Sequence, residues 1–293
     1  MKSFKIALPQ QFSFDLTLSF LLRSPRELLH QVEDRFIYKA LRVGQNELVL
    51  RIQHEGDHLL IKILNNEISN SEKEIITDYI REWFDLETDL TPFYAMASKD
   101  ELLSPLVKKY EGYRIVGQPD LFESLVWAVL GQQINLAFAY TLKQRFVEQF
   151  GSRVLCQGKP YFLFPSPETT AHLNDEKLLP LQFSRQKSKY VVLIAQAFAS
   201  GEVSKEKLKD LPLQEAKEQL MKIKGVGNWT ANYALMKTFR YPDAFPLEDA
   251  GVHNAIKNLK KMKAKPTIEQ VKRIFKKYKG WEAYATLYLW KSL

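Results

Sequence analysis

Residues 213 to 256, LQEAKEQLMKIKGVGNWTANYALMKTFRYPDAFPLEDAGVHNAI, read as an amphipathic helix, a glycine hairpin, a second helix and a proline-flanked turn that delivers an acidic pair onto a third helix. Ala216, Leu220 and Ile223 recur at helical spacing and form one apolar face, while Gln214, Glu218 and Lys222 fall outside it. Gly225 ends the first helix. The run Gly225-Val226-Gly227 makes a turn tight enough for its backbone N–H groups to point outward, where the next helix begins. Such a turn suits a phosphate oxygen. Glycine at a helix end is ordinary punctuation, so the hairpin taken alone is weak evidence of function.

The hairpin does not stand alone. Trp229-Thr230-Ala231 follow it, then Phe245-Pro246, then the carboxylates Glu248 and Asp249. In this combination the chain resembles the helix-hairpin-helix (HhH-GPD) DNA glycosylase superfamily, whose members remove damaged bases, and within it the AlkA-type DNA-3-methyladenine glycosylases. The resemblance runs from about Phe12 to the C-terminus, strongest over 213–256 and clear over Leu121 to Phe138.

Composition agrees with a globular DNA-binding protein. The 293 residues, 45% of them hydrophobic, suffice for two domains. Lys and Arg number 42 against 34 Asp and Glu, and the net charge of +8 favours a polyanionic partner. Cys156 is the single cysteine, which excludes an internal disulfide and a cysteine-ligated cluster. Residues 1–25 lack a signal-peptide core, and no apolar run reaches the roughly 18 residues of a membrane span, so a cytoplasmic, nucleoid-associated protein is expected. His30, His54, His58, His172 and His253 are scattered without HExxH or zinc spacing, and neither a P-loop nor a GxSxG elbow occurs. Metal-hydrolase, nucleotide-hydrolase and serine-esterase chemistry therefore lack their groups.

The N-terminal part reads as an antiparallel sheet with helical cover. Phe12 to Leu16 alternates like a strand, Arg26 to Arg35 reads helical, and Phe36–Ala40, Glu47–Gln53 and His58–Ile63 read as strands separated by turns at Gly44-Gln45-Asn46 and Glu55-Gly56-Asp57. From Ser71 onward the pattern is a nearly unbroken helical succession, including helices over Leu121–Leu130 and Leu136–Phe150 and helix starts near Ser166 and Ser184. The fold class is α+β: a small antiparallel sheet domain with helices over 1–105, similar to the AlkA N-terminal domain, then an all-α helix-hairpin-helix region over 106–293. Lys257, Lys260, Lys261, Lys263, Lys265, Lys272, Arg273, Lys276, Lys277 and Lys279 form a basic block beyond Asp249, a solvated face that can flank a DNA backbone.

Site residues follow from the resemblance. It implies that Asp249 is the catalytic carboxylate, because the family's aspartate stands three residues before an apolar helix residue and Val252 meets that spacing; Glu248 is the competitor, and a helix N-cap is the plain structural role of Asp249. An ionised aspartate suits an oxocarbenium-like transition state. The implied base pocket is aromatic, made of Trp229, Tyr233, Trp281 and Phe20, all of which also fit ordinary core stripes. Gly225, Val226 and Gly227 would hold a phosphate, with a monovalent cation on loop carbonyls as in the family, and no other cofactor or catalytic metal is expected. Gln132 and Gln133, in the turn Gly131 to Asn135, occupy the position of the family loop that fills the gap left by an extruded nucleotide, although the family can carry an apolar wedge there. Strand-cutting relatives carry a lysine two residues after the second hairpin glycine, and here that position is Trp229. The expectation is a monomeric, monofunctional enzyme that flips 3-methyladenine- or 7-methylguanine-type purines out of double-stranded DNA and hydrolyses the glycosidic bond. The alternatives are an oxidised- or deaminated-purine glycosylase and a non-catalytic DNA-binding helix-hairpin-helix protein.

Overall fold

A five-stranded antiparallel sheet opens the chain in the computed structural model, which describes residues 1–293. Its strands are β1 (Ser3–Ala7), β2 (Gln31–Glu33), β3 (Phe36–Val43), β4 (Asn46–Glu55) and β5 (His58–Ile63), in the order β1-β5-β4-β3-β2. Val43 pairs with Asn46 and Glu55 with His58, so each of these hairpins turns on two residues, the first of them a glycine with positive φ. Ile37, Ile52, Ile61 and Phe4 lie opposite one another across four strands and anchor one buried face. Helices α1 (Phe14–Leu21) and α2 (Asn70–Phe84) cover that face through Phe14, Leu18, Leu21, Ile76, Ile80, Trp83 and Phe84.

Two expectations fail in this half. Phe12–Leu16 is not a strand: Ser13 caps α1 by accepting a hydrogen bond from Leu16 N, and the short period-two pattern was the first part of a helical face. Arg26–Arg35 is not a helix. Leu29 N and Arg26 N bond to the Glu27 and Ser24 side chains, and the segment then pairs as β2 against β3.

After α2 come α3 (Thr91–Ala97), α4 (Ser104–Lys109), α5 (Leu121–Gly131) and α6 (Leu136–Phe150). Asp120 and Asn135 cap α5 and α6 with their side chains. The helical region is then interrupted by a β-hairpin, β6 (Ser152–Cys156) and β7 (Lys159–Leu163), so residues 106–293 are not all α. Its turn is Gln157-Gly158, both with positive φ. Val154, Cys156, Tyr161 and Leu163 pack on Ala40 and Val49 of the sheet face opposite α1 and α2. Hairpin and sheet each bury an apolar face that neither could cover alone.

The remaining helices are the short α7 (Pro167–Ala171) and α8 (Asp175–Leu178), then α9 (Arg185–Ala199), α10 (Lys205–Leu208), α11 (Leu213–Met221), α12 (Asn228–Phe239), α13 (Ala250–Leu259), α14 (Ile268–Phe275) and α15 (Glu282–Lys291). None is long and apolar enough to cross a membrane. One core joins α5, α6, α9, α11 and α12, and another joins α13, α14 and α15 with the segment Leu90–Ile115. Between these cores runs α12, giving Ala231, Ala234 and Leu235 to the first and Met236 to the second. Every side chain from Thr230 to Thr238 is buried, so a helix with polar residues in its sequence is enclosed on all sides. Residues at its N-terminal end are therefore held on a rigid support.

Candidate active site

The hairpin between α11 and α12 sets the geometry. Gly225 has φ +100, and a Cβ there would lie 2.3 Å from the Tyr190 ring, so only glycine fits both the backbone and the neighbour. Val226 is buried and pins the turn, while Gly227 is the exposed N-cap of α12. No side chain caps this helix, which leaves its first N–H groups for an external acceptor. Gln132 ties the adjacent loop to the hairpin: its Nε2 donates to the Gly225 carbonyl at 3.2 Å and to Thr230 Oγ1 at 2.9 Å. Lys187 Nζ donates to the carbonyls of Val129 and Gln132, each at 2.7 Å, and burial lowers this amine to about 8. Gln133, the next residue, is exposed at the loop tip with φ 58.

Asp249 stands at the N-terminus of α13, where its Oδ1 accepts from Val252 N at 2.9 Å. The same carboxylate is held by two indoles: Trp290 Nε1 donates to Oδ1 at 2.7 Å and Trp229 Nε1 donates to Oδ2 at 3.0 Å. Gly251 leaves room for this arrangement, since a Cβ there would meet Asp249 Oδ1 at 2.9 Å and the Trp290 ring at 3.0 Å. Glu248 points elsewhere. It is exposed and receives both its bonds from Asn228 Nδ2, at 3.0 and 3.1 Å. The adjacent carboxylates thus separate, one facing solvent beside the hairpin and one facing an aromatic wall.

That wall is built on α12, α15, α5 and α6. Trp229 stacks on Tyr233 with centroids 5.3 Å apart, and Trp290 lies 6.2 Å from Tyr233. Trp127 Nε1 donates to the Tyr233 hydroxyl at 2.9 Å, and the Trp127 and Tyr140 rings are 4.7 Å apart. Burial raises the Tyr233 phenol, a shift that the nearby Arg23 charge opposes. Arg23 Nε in turn donates to the Tyr140 hydroxyl, and its guanidinium lies 3.8 Å from the centre of the Phe20 ring. Phe20 therefore reaches the assembly only through Arg23 and Tyr140.

Trp281 is not in this assembly. It precedes α15 and packs with Phe93 and Tyr284, so the tryptophan that α15 brings to Asp249 is Trp290 instead. Trp281 stands just before the helix and Trp290 in its last turn, so the two meet different neighbours. Trp290 closes the same GWEAYATLYLW string as Trp281, and the string alone does not say which of the two tryptophans meets the carboxylate. Trp127, Tyr140 and Arg23 carried no comparable motif, and only tertiary packing assembles them.

Residues 126–280 match the family described as HhH-GPD superfamily base excision DNA repair protein, and residues 15–125 match the 8-oxoguanine DNA glycosylase N-terminal domain. The DNA-3-methyladenine glycosylase of Bacillus subtilis (strain 168) is 42% identical over 291 residues, covering 98% of this chain and 96% of that protein. Among solved structures, the 3-methyladenine DNA-glycosylase from Archaeoglobus fulgidus superposes with a TM-score of 0.86 at 24% identity, over 98% of this chain and 97% of that one, a likeness of fold. The Schizosaccharomyces pombe 3-methyladenine DNA glycosylase in complex with abasic DNA aligns with a TM-score of 0.59 at 27% identity, over 69% of this chain and 96% of that one. The hairpin, the carboxylate beyond it and these matches agree, and the chain belongs to the HhH-GPD superfamily of base excision DNA repair proteins.

Proposed function

We propose that this DNA glycosylase hydrolyses the N-glycosidic bond of alkylated purines in duplex DNA, using Asp249, and leaves an abasic site without cutting the strand. The observation that carries the reading is the Asp249 carboxylate clamped by Trp229 and Trp290 at one end of an aromatic wall. Oδ1 already accepts two hydrogen bonds and Oδ2 one, so Oδ2 keeps a free lone-pair direction for an attacking water. An anion so fixed stabilises positive charge growing on the sugar and can take the proton of that water. A purine made cationic by alkylation gains about 0.5–2 kcal/mol over the faces of Trp229, Tyr233 and Trp290.

In this reading DNA is held by the hairpin. The uncapped N–H groups after Gly227 would bind a phosphate, main-chain carbonyls of the turn would take a monovalent cation, and Gln133 would enter the duplex as the damaged nucleotide flips out. The Gly225 carbonyl is already engaged by Gln132, so the cation would rely on its neighbours.

The match of residues 15–125 to an 8-oxoguanine glycosylase domain favours a second reading, an oxidised-purine glycosylase with lyase activity. That chemistry requires an amine after the hairpin, where this chain has Trp229. Base release from methylated duplex DNA, compared between wild type and Asp249→Asn, tests the proposal. Free 3-methyladenine or 7-methylguanine from wild type only is expected, with duplex binding kept by the variant; release by both proteins would sink the role of Asp249. Covalent trapping with borohydride should fail, and a trapped complex would establish the lyase.

A further inference from the structure

The far side of the aromatic wall carries charge of the opposite sign to Asp249. Arg23 follows α1, and its guanidinium lies over the Phe20 ring while Nε is spent on the Tyr140 hydroxyl. The buried Lys237 amine of α12 sits 4.7 Å from the same ring and donates to the Val116 carbonyl. Burial pulls Lys237 toward its neutral form, whereas a guanidinium stays charged in any protein environment. No carboxylate pairs with Arg23; the nearby Glu27 is committed to Lys143 at 2.9 Å. The Arg23 side chain is exposed and its terminal nitrogens have no protein acceptor. Along the chain of contacts Asp249–Trp229–Tyr233–Trp127–Tyr140–Arg23, the site thus runs from an anion to a cation that no carboxylate touches, with Glu27 acting on it only from a distance.

We propose that Arg23 is a selectivity-determining residue, which assists the departure of neutral damaged purines and does nothing for cationic ones. The inference rests on the glycosylase reading given above and extends it to a further substrate class. When the bond from C1′ to the ring nitrogen breaks, its electron pair leaves with the base. A purine cationic through alkylation departs neutral and needs no help. A purine that is neutral in DNA departs as an anion, and a fixed positive charge at the base end lowers the cost of that charge. The oxygen of water adds to C1′, its proton passes to Asp249 and then to solvent, and the departed anion is protonated by water. Arg23 also raises the cost of seating a cationic base beside it, so the same residue acts on selectivity twice and in one direction.

Single-turnover release of hypoxanthine, a neutral base, and of 7-methylguanine, a cationic one, tests the assignment in wild type, Arg23→Met and Arg23→Lys. In Arg23→Met the ratio of hypoxanthine to 7-methylguanine release should fall by about tenfold or more, and Arg23→Lys should recover part of it. Equal loss of both activities would reveal a purely structural role and overturn the proposal, as would an unchanged ratio. Wild type that frees 7-methylguanine but no hypoxanthine overturns it too. Failure of the underlying reading looks different: wild type that frees no methylated purine overturns the alkylated-purine activity, whatever the ratio in the variants, and release of neither base overturns both.

Discussion

In the proposed mechanism Asp249 joins a structural and a chemical role in one side chain. Its Oδ1 caps α13 and also receives the Trp290 indole, so the helix start fixes the carboxylate that faces the wall. Asparagine caps helices as well as aspartate does, which makes Asp249→Asn the substitution that removes charge while sparing the cap. The two indoles are not equivalent. Trp229 also provides a stacking face on Tyr233, whereas Trp290 makes the shorter bond, to the oxygen that caps the helix. Trp290→Phe keeps an aromatic ring and deletes the donor. Because a hydrogen bond to a charged group contributes about 1.5–3 kcal/mol, single-turnover base release should slow by about tenfold or more with little change in DNA affinity. Unchanged release would mean that Trp229 and the helix cap alone orient Asp249.

At the scale of elements, the glycine hairpin acts through what grips it. Gln132 binds both the Gly225 carbonyl and Thr230 Oγ1, while Lys187 holds the Gln132 carbonyl, so the hairpin and the loop bearing Gln133 are tied to one another. Gln132→Ala removes both side-chain bonds. It should weaken binding to an abasic duplex by about tenfold or more at fixed salt, in line with about 0.5–1 kcal/mol for each of the two neutral bonds, and a titration giving the wild-type Kd would refute the coupling. Much of this architecture was legible in the sequence, because α11, the hairpin, α12 and the caps at Asp120, Asn135, Ser166 and Ser184 are local signals. What was not legible depended on tertiary context. Residues 152–163 form strands because they cover the back of the sheet, α1 was hidden by too short an apolar pattern, and the side of α15 that meets Asp249 is fixed only by its packing within the second core, where Tyr288 meets Tyr113.

For the molecule as a whole, the decisive join is between the segment carrying Phe20 and Arg23 and the helices behind the aromatic wall. Lys143 of α6 makes it, bonded to Glu27 at 2.9 Å and to Glu123 of α5 at 3.1 Å, with all three side chains almost wholly removed from solvent. Burial alone would raise the Glu27 carboxyl, but Lys143, His30 and the Leu29 N–H outweigh it and hold the group down to about 2. A carboxylate depressed on folding contributes stability that is fully present above its unfolded value, near 4.5, and is lost as pH falls toward 2. Glu27→Gln removes that contribution while leaving Lys143 one carboxylate partner, so it should cost about 2–3 kcal/mol at neutral pH and flatten the loss of stability between pH 4.5 and 2. Denaturant melts of wild type and variant across that range measure the difference, and parallel curves would show that the triad does not couple to folding. Since Glu27 lies four residues beyond Arg23, the same variant should also loosen the placement of the guanidinium, so a fall in hypoxanthine release relative to 7-methylguanine would connect the stability of this join to the choice of base.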